Sequence, residues 1–168
     1  VSTTDGLNWF NPQALVFQHY QHNTVDTNSL SSSSVWAITE DSLGNLWVGT
    51  DKGLNHFDPK TQTFKQYHHD AEDANSLASD FISAIKEDSQ GILWIGGKGL
   101  SRFDPETGTF KHYRHNVDDA NSLSSDLVWA ITEDNKGNIW IGTSYGLNKF
   151  NPNTQTFKRY LELSRSLV

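Results

Sequence analysis

Three kinds of residue in this sequence could do chemistry. Adjacent carboxylates occur as Glu40–Asp41, Glu87–Asp88 and Glu133–Asp134, and paired carboxylates can divide the work of a general acid and a general base. Histidines recur as His22, His69 and His115, and imidazole is a common metal ligand. Five of the six tryptophans fall into two sets, Trp47, Trp94 and Trp140, and Trp36 with Trp129. An indole face can stack on a polyol, and a carboxylate such as Asp80 or Asp126 can accept its hydroxyls.

Spacing weighs against most of these roles. The glycines Gly6, Gly53, Gly99 and Gly146 stand 47, 46 and 47 residues apart, and each of the four prolines lies six residues after one of them. Phe10, Phe57, Phe103 and Phe150 share one phase of this period, and Phe17, Phe64, Phe110 and Phe157 share another. The carboxylate pair is written in each full repeat, whereas an active site is normally unique. Neighbouring strand residues point to opposite faces, and Asp before a Gly turn bonds local amides. The pairs therefore read as turn structure. The three histidines sit at one phase on successive repeats and cannot converge on one ion. They read as exposed edge residues that discourage strand pairing; no metal site and no catalytic residue is expected. Trp47, Trp94 and Trp140 read as filler between repeats, with Gly53, Gly99 and Gly146 as turn glycines.

The elements that carry these residues follow from residues 35–69. "VWAITED", "LWVGT", "LNHF" and "TFKQYHH" are short β-rich runs, separated by "SLGN", "DKG" and "DPKTQ". Strands of four to seven residues split by Gly and Pro signals mean antiparallel sheet, and no 3.6-residue apolar stripe argues for helix. A four-stranded meander repeated every 46–47 residues is a propeller blade. The expectation is one all-β domain, 1–168, a β-propeller segment of about three and a half four-stranded antiparallel blades. Blades are expected at about 1–22 (partial), 31–69, 78–115 and 124–162, with a tail at 163–168. Leu30, Leu77 and Leu123 are expected to pin the connectors between blades.

Positions that break the repeat are the candidate binding residues. The first strand carries Trp36 and Trp129 but Ser83, and the loop before it carries Asp80 and Asp126 but Ser33. First strands line a propeller's channel, where ligands commonly sit. Two readings stand: Trp36, Asp80, Trp129 and Asp126 bind a small carbohydrate, or the two indoles pack between blades. The net charge of −7 argues against duplex nucleic acid or an anionic membrane as partner, since both are held by clustered Lys and Arg. The absence of Cys excludes disulfides and thiolate chemistry. No phosphate loop or nucleophile elbow occurs, so no cofactor is expected.

The stretch "AITEDSLGNLWVGTDKGLNHFDPKTQTF" (37–64) resembles the two-component regulator propeller repeat, in Glu40, Asp41, Gly44, Trp47, Gly49, Thr50, Gly53, Leu54 and Phe57. The pattern recurs through Trp94, Gly96 and Gly99 and through Trp140, Gly142 and Gly146. The resemblance implies a place in a seven-bladed propeller that forms the extracytoplasmic, periplasmic or extracellular, sensing part of a bacterial signalling protein. It also implies a response to glycans or their breakdown products. One departure is "GGKG" (96–99), a residue shorter than "GTDKG" and "GTSYG". A non-catalytic sensing or interaction segment is the first expectation. A lyase of the streptogramin-lyase type is the alternative, needing His and Glu on one face, and a self-assembling half-propeller is the third. The bare end blades predict a homodimer, or the remainder of a parent propeller, as partner. The apolar residues Leu161, Leu163, Leu167 and Val168 predict an added strand from the tail.

Overall fold

The computed structural model describes residues 2–11 and 15–160. The tail, 163–168, and the strand expected over 161–168 lie outside the described residues. A first, three-stranded sheet holds β1 (Ser2–Thr3), β2 (Gly6–Asn11) and β3 (Val16–Tyr20). Three four-stranded blades follow. The first holds β4 (Val35–Glu40), β5 (Leu46–Thr50), β6 (Gly53–Asp58) and β7 (Thr63–Tyr67). The second holds β8 (Ile82–Glu87), β9 (Leu93–Gly97), β10 (Gly99–Asp104) and β11 (Thr109–Tyr113). The third holds β12 (Val128–Glu133), β13 (Ile139–Thr143), β14 (Gly146–Asn151) and β15 (Thr156–Tyr160). Every pairing inside a sheet is antiparallel and between sequence neighbours. The chain is a partial β-propeller.

Turn chemistry explains why the strands stop where they do. Asp41 Oδ1 accepts the Leu43 and Asn45 amides at 3.0 and 2.8 Å, and Gly44 takes φ +81°. That left-handed backbone is open to Gly at little cost. The outer hairpin needs the same conformation at Gln62 (φ +57°), Gly108 (+68°) and Gln155 (+56°). Only the middle blade meets that demand with glycine. The turn glycines Gly53, Gly99 and Gly146 also hold positive φ, and the Gly53 and Gly99 amides donate to the carbonyls of Asp80 and Asp126 in the next connector.

The core is three layers, each between two neighbouring sheets. One gathers Leu7, Leu30, Val35, Phe57 and Phe64 around Tyr20. The next gathers Trp47, Leu54, Leu77, Ile82 and Phe103, and the last Trp94, Leu100, Leu123, Val128 and Phe150. Leu30, Leu77 and Leu123 are wholly buried, so each connector is anchored in the layer behind it. Glycine permits the closeness of these layers. A Cβ on Gly49 would lie 2.5 Å from Ile82 Cγ2, and one on Gly96 2.5 Å from Val128 Cγ1. β4, β8 and β12 approach one another across the blades, so the first strand of each blade is innermost.

Trp47 and Trp94 are core residues, 2% and 1% exposed. Trp140, expected to match them, is only half-buried. Each buried indole is covered by the following blade: Phe103 lies 5.8 Å from Trp47 and Phe150 5.2 Å from Trp94, between ring centroids. Among the described residues no later blade covers Trp140, which stacks instead on Tyr160 of its own blade at 5.5 Å.

Candidate ligand-binding face

Each inner strand is bulged. Pairing slips between Val35 and Ala37, between Ile82 and Ala84, and between Val128 and Ala130. The residues skipped are Trp36, Ser83 and Trp129. A bulge breaks the in-and-out alternation and re-aims the extra side chain. Val35 and Val128 turn into the core, while Trp36 and Trp129 remain 53% and 49% exposed. Tryptophan is usually highly buried, so two half-exposed indoles at matching bulges on the innermost strands contrast with the buried Trp47 and Trp94.

Phe81 joins them. Its ring lies 5.5 Å from Trp36 at 71°, and 6.2 Å from Trp129 at 76°. Both are edge-to-face contacts of the favoured kind. The result is a row of three rings across three blades. Trp129 Nε1 donates to Ser144 Oγ at 2.9 Å, which fixes the tilt of that indole. Ser83, where the others have Trp, donates its hydroxyl to the Val128 carbonyl and ties the second blade to the third.

The "GGKG" deletion is part of the same arrangement. A Cβ at Gly97 would collide with the Phe81 carbonyl. Elsewhere that position is Thr. Thr50 bonds Ser31 Oγ and the Gly53 carbonyl, and Thr143 bonds Ser124 Oγ and the Gly146 carbonyl. Asn55 and Asn148 complete these buried networks through the Ser31 and Ser124 amides. The middle blade has Ala78, Gly97 and Ser101 at the three positions, and Arg114 reaches the Ala78 and Lys98 carbonyls instead.

Asp80 and Asp126 serve another end than the one expected from sequence. Asp80 Oδ1 accepts the His69 amide at 2.7 Å, and Asp126 Oδ1 accepts the His115 amide at 2.7 Å. Ser33, which broke the Asp pattern, accepts the His22 amide in the same way at 3.1 Å. The position clamps the connector in every blade, whichever residue fills it. Among the described residues neither carboxylate bonds to the aromatic row. Phe81 thus links Trp36 and Trp129, while Asp80 and Asp126 each hold a connector.

The other candidates are structural. Nδ1 of His22, His69 and His115 lies 2.6–2.7 Å from the carbonyls of Leu30, Leu77 and Leu123 and donates to them. Asp41, Asp88 and Asp134 each take the indole N–H of the Trp six residues on, at 3.1, 2.8 and 2.9 Å. This bond, ahead of the Asn138 bonds and against some desolvation, holds the Asp134 carboxyl well below the usual carboxylate range. The glutamates act between blades. Glu87 accepts the Ser42 amide and hydroxyl, and Glu133 those of Ser89, at 2.7–2.9 Å. Among the described residues no cluster of His, Asp and Glu could hold a metal ion, and no helix is long and apolar enough to cross a membrane.

Residues 29–52, 76–99 and 122–145 each match the two component regulator propeller family. The chain carries three two-component regulator propeller repeats. Each match runs from the connector through the inner strands to the glycine turn, the part that holds the bulge, the buried indole and the clamp. Among solved structures, the chain is similar to the extracellular domain of a hybrid two component system from B. thetaiotaomicron, at 34% identity and TM-score 0.76 over 92% of this chain. It spans 20% of that structure's own length. It is also similar to a catalytically inactive virginiamycin B lyase from Staphylococcus aureus solved with quinupristin, at 13% identity and TM-score 0.67. That alignment covers 94% of this chain and 49% of the lyase, and at this identity the likeness is one of fold alone. No curated protein sequence matches the chain significantly.

Proposed function

We propose that this two-component regulator propeller segment is a non-catalytic, ligand-sensing part of a bacterial sensor's extracytoplasmic region, and that its ligand is a glycan. The observation that carries the reading is the row Trp36–Phe81–Trp129, which leaves two indole faces exposed on the innermost strands. Sugar rings offer C–H faces that stack on such indoles, and aromatic walls with a few polar groups are the usual make-up of a small-molecule site. The similarity to an extracellular sensor domain supports an extracellular or periplasmic setting. We further propose a second copy of this chain as the partner that covers the bare end blades.

Binding to a panel of neutral oligosaccharides, measured calorimetrically, tests the ligand. Trp129→Ala is expected to abolish binding while leaving the circular dichroism and thermal midpoint nearly unchanged, because Trp129 is half-exposed. Equal affinity in the two proteins across the panel would remove the row from consideration.

A further inference from the structure

A second cavity, distinct from the aromatic row, lies between the second and third blades. It measures about 370 Å³ and is lined by Arg102 and Lys111 from the second blade and Asn153 and Gln155 from the third. Trp94 and Phe150, both buried, close its inner side. The volume suits a ligand of monosaccharide size.

Arg102 sets this groove apart. Its register position, opposite the buried indole, is His56 in the first blade and Lys149 in the third. His56 stacks on Trp47 at 4.2 Å with Nε2 3.6 Å from Asp41 Oδ2. Lys149 lies 3.7 Å from Asp134 Oδ2 and 5.2 Å over the Trp140 ring. Arg102 makes no such pair among the described residues. It is half-buried, with five N–H donors that no carboxylate receives.

The acids lining the groove are already used. Asp88 accepts the Gln90 and Ile92 amides and the Trp94 indole. Both oxygens of Glu133 are taken by Ser89. Lys111 bonds Gln155 across the groove and keeps further donors. The groove thus balances two cations against two carboxylates, and the carboxylates are engaged by Trp94 and Ser89 while the Arg102 guanidinium has no such partner among the described residues.

The molecule contains its own control. The groove between the first and second blades, about 450 Å³, is lined by Asp41, Glu87, Asp104 and Glu106, with no Lys or Arg. In the next repeat Asp104 and Glu106 become Asn151 and Asn153. One groove is acidic; its neighbour has lost two acids and gained an unpaired guanidinium.

We propose that the groove between the second and third blades binds a small carboxylate of monosaccharide size, its carboxylate received by Arg102 and assisted by Lys111. A planar guanidinium takes a carboxylate through two parallel bonds. Aliphatic and aromatic walls receive the rest of the ligand.

The probe is D-glucuronate, with D-glucose as its neutral counterpart and inorganic sulfate as a competing anion, titrated into the chain and followed by amide shifts of Asn153 and Gln155. Glucuronate is expected to move these signals saturably and glucose to leave them still. Arg102→Gln is expected to weaken glucuronate by about tenfold or more, the effect of losing a charge-assisted pair. Asn153→Glu restores the acid that the other groove carries at Glu106, and should weaken binding while leaving the blade folded. Equal response to glucose, tighter binding of sulfate, or unchanged affinity in both variants would overturn the assignment. Trp129→Ala should leave glucuronate binding intact, which separates this site from the aromatic row.

Discussion

His56 occupies the position that Arg102 and Lys149 occupy in later blades, and it alone of the three titrates near neutrality. Burial holds its imidazole below the usual range, with the Asp41 carboxylate pulling the other way. Burial lowers His112 as well, against its bonds to the Ser76 and Ala74 backbone. A histidine whose folded pKa lies below its unfolded value of 6.5 takes up protons more readily when unfolded. The stability it contributes is complete above 6.5 and is lost as pH falls from there through the folded pKa. Urea midpoints are therefore expected to fall between about pH 7.5 and about pH 5.5. The double variant His56→Gln, His112→Gln should show a smaller fall; a midpoint that stays level or rises in the parent protein would contradict this. The candidate site was half legible at this scale. Trp36 and Trp129 declared themselves by breaking the repeat. Phe81 carried an equal signal, as the one phenylalanine off both phases, but its meaning depended on a bulge that no residue type announces. The connector task of Asp80 and Asp126 was not legible, because Ser33 differs from them in side chain and not in that task.

At the scale of the strand, Gly49, Gly96 and Gly142 stand in the same place on β5, β9 and β13 but meet different surroundings. A Cβ on Gly96 would press into Val128 of the next blade at 2.5 Å, while one on Gly142 finds only Ala130 Cβ at 3.5 Å. Gly96→Ala is expected to lower stability by about 1–3 kcal/mol, the usual result of overpacking a core. Gly142→Ala should lie within about 0.5 kcal/mol of the parent, because its neighbour strand is already at ordinary contact. Chemical denaturation of both variants checks the contrast; equal losses would mean that blade spacing is set elsewhere. Strand order, turn positions and the antiparallel meander were readable because Gly, Pro and Asp punctuate each blade at fixed phase. The coordinated departure of the middle blade at Ala78, Gly97 and Ser101 was not. The deletion was visible, yet the three positions lie far apart in sequence and meet only through buried hydrogen bonds.

At the scale of the molecule, both end faces are rich in exposed apolar surface. Phe10 and Phe17 are 44% and 67% exposed on the first sheet, and Leu147, Tyr160 and Tyr145 are 40%, 40% and 72% exposed on the third blade. Apolar patches of this kind are uncommon on monomers, and a two-fold pairing would cover both at once. Sedimentation equilibrium is expected to give a mass near twice 18.9 kDa; a folded monomer at micromolar concentration would end the idea. The half-buried state of Trp140 belongs to this scale too. Its stretch, "NIWIGT", closely matches "NLWVGT" around Trp47, and its burial differs because burial comes from the neighbour.

The direction of that covering has a consequence for biosynthesis. Trp47 is shielded by Phe103 and Trp94 by Phe150, each fifty-six residues later, and Glu87 and Glu133 reach back in the same sense to Ser42 and Ser89. While the chain is emerging, whether from the ribosome or at the site where it folds, each of these two blades must wait with one apolar side bare until most of its successor has followed. At about 5–20 residues per second that wait lasts several seconds, long enough for a chaperone to matter. Growth is then vectorial, like a row of shingles in which each course keeps the last one dry.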